Sequence, residues 1–267
     1  MNRLPGLVLV AALAIAALFR PLRLPLAAIL LVAYLASGRR GARPAVLAAG
    51  LPVAAILAWG ALGQPAAAPD AAQCTDLFAP PAVFRGLEAL VGLVVLGILI
   101  VDRRASLSEL GVRLGSRRLA ALAAVGALVV GSAALYASTW LGSGLLGGSF
   151  FGTYALDLSR PAALLPALLF AISNAVVEEF AYRGSLRTWL GPTLGVVGAN
   201  LGQAIVFGAA HSGADFVGPV LPTAIAMVLT GFIGGVIARR TGSLTVPIAI
   251  HAAADIPIYF FWACRLG

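Results

Sequence analysis

Long apolar runs divide the chain, falling roughly at Leu4 to Phe19, Leu24 to Ala36, Ala45 to Leu62, Phe84 to Val101, Leu119 to Leu141, Pro161 to Leu190, Thr193 to His211, Val217 to Ala238 and Leu244 to Trp262. The polar residues collect between these runs, in short clusters. A hydrocarbon core about 30 Å thick is crossed by about 20 helical residues. The pattern therefore predicts an all-α, polytopic bundle of about eight or nine membrane spans. The first two runs are short, and read either as a tilted pair or as one broken unit. The start at Met1-Asn2-Arg3 has the look of a secretory signal, but a second apolar run follows at once, so it reads as a membrane anchor.

Loop charge sets the orientation. Residues 102 to 118 hold Arg103, Arg104, Arg113, Arg117 and Arg118, whereas 63 to 83 hold Asp70 and Asp76 and no arginine. Positive loops stay inside, so the first is cytoplasmic and the second external. Counting onward puts Arg239-Arg240 inside as well. Arg20 and Arg23 fall outside if both short runs span, which is a conflict at the N-terminus. Glycines four residues apart, Gly198 with Gly202 and Gly231 with Gly235, suit close helix packing in lipid. No repeat and no long hydrophilic stretch is evident, so 1–267 reads as a single membrane domain.

Composition changes the picture little. Of 267 residues 61% are apolar and 10% charged, with a mean hydropathy of +1.00, far from a soluble domain. The net charge of +8 comes from arginine alone. Its spacing between apolar runs argues against a nucleic-acid partner and for the lipid bilayer. Cys74 and Cys264 have no ligand-like spacing and read as two unrelated cysteines, although the topology puts both on the external side, where a disulfide can form. The arginine-only, alanine-rich composition fits a bacterial plasma (inner) membrane protein. Oligomeric state is not legible.

Candidate chemistry comes from ionisable groups inside apolar runs, which cost roughly 2.5 to 3.5 kcal/mol each to insert. In Val177-Glu178-Glu179-Phe180-Ala181-Tyr182-Arg183, helical spacing sets Glu179 over Arg183. Glu178, about 100° around the helix, faces elsewhere, with Tyr182 one turn along its side. The only histidines, His211 and His251, lie in apolar surroundings, and His251 shares a helix face with Asp255. A hairpin turning near Leu194 or Gly195 puts Glu178 and His211 level, roughly 24 Å from the turn. A second turn near Thr241 and Gly242 leaves His251 and Asp255 roughly 14 to 20 Å from the same side. All four can then meet in one cavity opening toward the cytoplasm. Asn174, Asn200 and Gln203 read as interhelical hydrogen-bonding residues, and Trp189, Tyr259 and Trp262 as interface anchors.

Glu178-Glu179-x-x-x-Arg183, Phe207-x-x-x-His211 and His251-x-x-x-Asp255, in this order on successive late segments, resemble the motifs of the CAAX-prenyl protease and bacteriocin-processing (CPBP, Abi-like) family. The resemblance covers roughly 160 to 262; residues 1–150 carry helices without motifs. It implies an all-helical membrane fold and an intramembrane endopeptidase acting on membrane-associated peptides or proteins. Glu178 and His211 would activate a water, His251 and Asp255 would line an oxyanion site, and Glu179 and Arg183 would support Glu178. Asp255 stands where the family often has asparagine, and an ionised aspartate accepts hydrogen bonds but does not donate them.

Three roles stay open for Asp255: a protonated donor, an acceptor orienting His251, or a zinc ligand. In a zinc variant Glu178, His211, His251 and Asp255 would hold the ion with an open water position. Outside hydrolysis, the same residues suit an ion or small-solute transporter, or a non-catalytic membrane scaffold or immunity protein. The resemblance favours the protease, with no cofactor required and zinc as the alternative.

Overall fold

The computed structural model describes residues 2–37, 42–63, 74–141, 159–212 and 220–264. Each predicted run is helical, as α1 (Leu4–Leu18), α2 (Arg23–Ala36), α3 (Ala42–Ala61), α4 (Pro80–Arg103), α5 (Arg117–Leu141), α6 (Leu164–Glu178), α7 (Arg187–Ala210), α8 (Val220–Thr241) and α9 (Thr245–Ala263). No strand occurs among the described residues. Among the described residues four helical stretches are long and apolar enough to cross a membrane, and Leu4–Leu18 and Thr245–Phe260 are shorter apolar helices. One of the four, Pro161–Ala210, is not a single rod. Gly195 sits within α7 at φ 75° and ψ 168°, a conformation that L side chains rarely adopt, so the chain turns there as the spacing predicts.

The two short N-terminal runs are separate helices joined by a 3₁₀ turn at Arg20–Leu22. The charge conflict at this turn has a local cause. Arg23 is buried, with Nη2 donating to Ala17 O at 2.7 Å and Nε to Ala16 O at 3.3 Å, and Arg20 Nη2 donates to Ala61 O at 3.2 Å. These guanidiniums satisfy the carbonyls that helix ends leave open. They are therefore not counted like loop arginines in the charge rule.

Contacts define two ends of the bundle. At one, Tyr34 donates to Asp102 Oδ2 at 2.6 Å, Leu244 N to Gly111 O at 2.9 Å and Ser243 Oγ to Arg113 O at 2.7 Å. This brings the arginine-rich 104–116 loop against the turn that follows Arg239-Arg240. At the other end Cys74 and Cys264 form a disulfide with Cα atoms 5.1 Å apart, which corrects the reading of two unrelated cysteines. Tyr259 is buried beside it and donates to Cys74 O at 2.9 Å, and Trp189 is buried under the Arg103 guanidinium. Neither is a lipid-interface anchor; the side chain of Trp262 lies outside those described.

Packing follows the small residues. A Cβ at Gly202 would meet Val10 of α1 at 2.9 Å, and one at Gly231 would meet the Ala204 backbone of α7 at 3.1 Å. Gly198 differs from expectation, facing only Leu194 of its own helix. The interior is apolar, with Leu13, Val53, Val177 and Leu190 buried, while Ile98, Val101, Val129 and Val197 are exposed. Exposed large aliphatic side chains along helices long enough to span make this outer surface lipid-facing and the protein multi-pass.

Candidate active site

The first part of the site is set by a change of helical pitch. Residues Glu179–Leu186 form a π-helix between α6 and α7, an uncommon geometry that recurs at functional sites. Every residue of it but Phe180 is buried. Glu179 still reaches Arg183, Oε1 to Nη1 at 3.1 Å, as the sequence spacing predicts. The Arg183 guanidinium lies over the Phe207 ring, 4.2 Å from its centroid, and Tyr182 meets the same ring edge-on at 5.2 Å. Phe207 thus packs the second motif against the first. An apolar enclosure of this kind strengthens every charge interaction inside it.

His211 follows the end of α7. Its Nδ1 lies 2.8 Å from Phe207 O, and its ring stacks 4.1 Å from that of Phe207. A carbonyl oxygen only accepts, so Nδ1 carries the hydrogen and, in the neutral ring, Nε2 is the acceptor. Nε2 faces Glu178 Oε2 at 3.5 Å. His251, from α9, reaches the same carboxylate oxygen, with Nε2 at 3.7 Å, and its Nδ1 lies 3.0 Å from Glu179 Oε1. Asp255 Oδ2 stands 3.7 Å from His251 Nε2. Glu178, Glu179, Arg183, His211, His251 and Asp255 therefore form one cluster drawn from α6, the π-helix, α7 and α9. Glu179 and Arg183 reach it through His251.

Asn174 also belongs to this cluster. It lies one turn before Glu178 on α6, is buried, and donates Nδ2 to Asp255 Oδ2 at 2.8 Å. It bridges α6 to α9, as its interhelical reading expects, and does so through a residue of the cluster. The usable signal was its i,i+4 spacing to Glu178, which puts both on one face. Asn200 and Gln203 do bridge helices, donating to Phe232 O and Gly231 O of α8. A second omission is the part-buried Arg85–Glu88 ion pair on α4, whose guanidinium lies 5.9 Å from the Phe170 ring of α6.

Glu178 Oε2 is buried and no group of the protein hydrogen-bonds it. Buried carboxylate oxygens are rarely left so, and the two histidine nitrogens near it are both beyond hydrogen-bond distance. The arrangement can hold a small polar molecule against Glu178 and His211, with His251 beside it. Among the described residues no group of three or more His, Cys, Asp or Glu is arranged to hold a metal ion.

Comparison with known proteins agrees with the family resemblance of this segment. Residues 160–257 match the model of the Rce1-like type II CAAX prenyl endopeptidases. No curated protein and no solved structure matches the chain. The matched segment contains every residue of the Glu178 cluster, and over that segment the chain is similar to the Rce1-like type II CAAX prenyl endopeptidases.

Proposed function

We propose that the protein is an intramembrane endopeptidase in which Glu178 and His211 activate the hydrolytic water. The observation that carries this is the pair Glu178 Oε2 and His211 Nε2, 3.5 Å apart. With Nδ1 donating to Phe207 O, Nε2 and the carboxylate are both acceptors, so they cannot bond each other, and they are close enough for one water to donate to both. That water keeps a lone pair for the substrate carbonyl. As its oxygen bonds to the carbonyl carbon, Glu178 takes one proton, and it returns that proton to the amide nitrogen as the carbon–nitrogen bond breaks. The second water proton stays on the new acid, so the products are a carboxylic acid and an amine, which exchange that proton to give carboxylate and ammonium.

His251 supplies the opposite charge. Its Nδ1–H donates to Glu179, which Arg183 holds, and its Nε2 is 3.7 Å from both Glu178 and Asp255, so an Nε2–H is available to a developing oxyanion. Asp255 acts here as an acceptor. It takes the Asn174 amide and faces His251, which fits an orienting role in place of the asparagine donor that the family often has. The charge pattern of the loops supports a site served from the cytoplasmic side of a bacterial membrane. Substrates are membrane-associated peptides or proteins.

The test is cleavage of a quenched peptide library by detergent-purified protein. Glu178→Gln and His211→Ala should each lower kcat/KM by about 10²- to 10⁴-fold, the range of general acid–base catalysis, with wild-type turnover resistant to chelator. Turnover that survives Glu178→Gln sinks the mechanism, and chelator loss restored by zinc replaces it with the metal-dependent one.

A further inference from the structure

Between α7 and α8, at the arginine-rich end of the bundle, the protein has a cavity of about 210 Å³ lined in part by Arg187, Thr188, Val196, Ala199, Asn200 and Arg239. None of its lining residues belongs to the Glu178 cluster, and none is acidic. Two guanidiniums therefore share one concave site with only neutral neighbours in its wall.

The site is built into the helix packing. Arg187 is half-buried, and its Nε and Nη1 donate to Arg183 O at 3.0 Å and Gly235 O at 3.2 Å. These bonds fix the plane of the guanidinium, and the carbonyl partners themselves carry no net charge. Glycine lets α8 come close to α7 at this wall: a Cβ at Gly235, which lines the cavity, would overlap the Asn200 amide. Arg239 completes the wall from the last turn of α8. Thr188 adds a hydroxyl.

Apart from the Asn200 amide the rest of the lining is apolar, and Val196, 58% exposed, continues into the exposed face of Val197 and Leu201. A ligand here meets the fixed Arg187 guanidinium and the exposed Arg239 at one end and a lipid-facing aliphatic surface at the other. The geometry points to a binding site for a phosphate oxyanion carried by an anionic phospholipid headgroup, with Arg187 and Arg239 as its donors. Arginine suits phosphate because its planar fork gives paired hydrogen bonds, and basic pockets between membrane helices take anionic headgroups. This inference depends on the fold alone and stands apart from the protease mechanism.

The test is native mass spectrometry and thermal unfolding of the detergent-purified full chain with phosphatidylglycerol, phosphatidylcholine or inorganic phosphate. Phosphatidylglycerol should be retained and raise Tm, and phosphatidylcholine should do neither. Arg187→Gln or Arg239→Gln should weaken retention roughly 5-fold each, and the double variant roughly 25-fold. Because Arg239 is exposed, Arg239→Gln tests the site without disturbing the interior. Stabilisation by inorganic phosphate equal to that by phosphatidylglycerol would assign the site to free phosphate, the same chemistry without the lipid. Equal retention of both lipids, or a double variant that holds phosphatidylglycerol like wild type, overturns the proposal.

Discussion

Asn174 and Asp255 join α6 to α9 through a buried hydrogen bond of 2.8 Å, donated by the amide and accepted by Oδ2. A carboxylate can only accept when ionised, so the pair has one sense, and it fixes which end of the Asn174 side chain faces α9. The opposite end, Asn174 Oδ1, is buried with no hydrogen-bond partner in the protein. The bond thus adds a polar link between the helix of Glu178 and the helix of His251, which also pack through Phe170 and Tyr259.

The first prediction concerns this pair. Asn174→Ala leaves Asp255 buried without its donor, and should destabilise the protein by about 1 to 3 kcal/mol with a lower kcat. Asp255→Asn should be milder, because a neutral amide can pair with Asn174 in either sense. The double variant should recover part of the Asn174→Ala loss, giving a coupling of about 0.5 to 3 kcal/mol in a thermal-unfolding cycle. Strictly additive losses would show that the bond contributes nothing of its own.

What the sequence made legible follows from what each residue costs in lipid. Charged groups are expensive at depth, so Glu178, Glu179, Arg183, His211, His251 and Asp255 stand out against apolar runs, and the structure gathers them. Asn174 did not stand out because a neutral amide inserts cheaply and has several ordinary uses. Arg85 and Glu88 form a self-neutralising pair three residues apart, which hydropathy averages away. The π-helix at Glu179–Leu186 leaves no mark in the residue pattern, since its pitch is set by the packing around it. The cysteine pair needed a distance, and sequence positions 190 residues apart give none. The helix runs were visible for the opposite reason: a bilayer demands long apolar stretches whatever their neighbours are.

The second prediction concerns that disulfide. Cys74–Cys264 ties the 74–79 region to the end of α9, the helix that carries His251 and Asp255, and Tyr259 reinforces it through Cys74 O. Reduction, or Cys74→Ser with Cys264→Ser, should lower stability by about 2 to 4 kcal/mol. A thermal-unfolding midpoint unchanged by reductant, with unchanged mobility on a non-reducing gel, would show that the two cysteines do not pair in the isolated protein.

The last prediction separates charge from position in the Glu179–Arg183 pair. Arg183 is 1% exposed and Glu179 2%, and their ion pair of 3.1 Å also anchors His251 through Glu179 Oε1. Removing one partner from a buried pair strands the other charge, which typically costs about 3 to 5 kcal/mol. Glu179→Gln and Arg183→Met should therefore each destabilise strongly. Combined, they remove both charges, so the double variant should be more stable than either single one, even though His251 has lost its anionic anchor. Activity should behave differently from stability. If Glu179 positions His251 for the reaction, the double variant recovers its fold while its kcat stays low, and KM changes little. Thermal unfolding and peptide hydrolysis on the same three variants measure both quantities. Recovery of kcat together with stability would mean that Glu179 and Arg183 serve the fold alone, and that the orientation of His251 rests on Asp255.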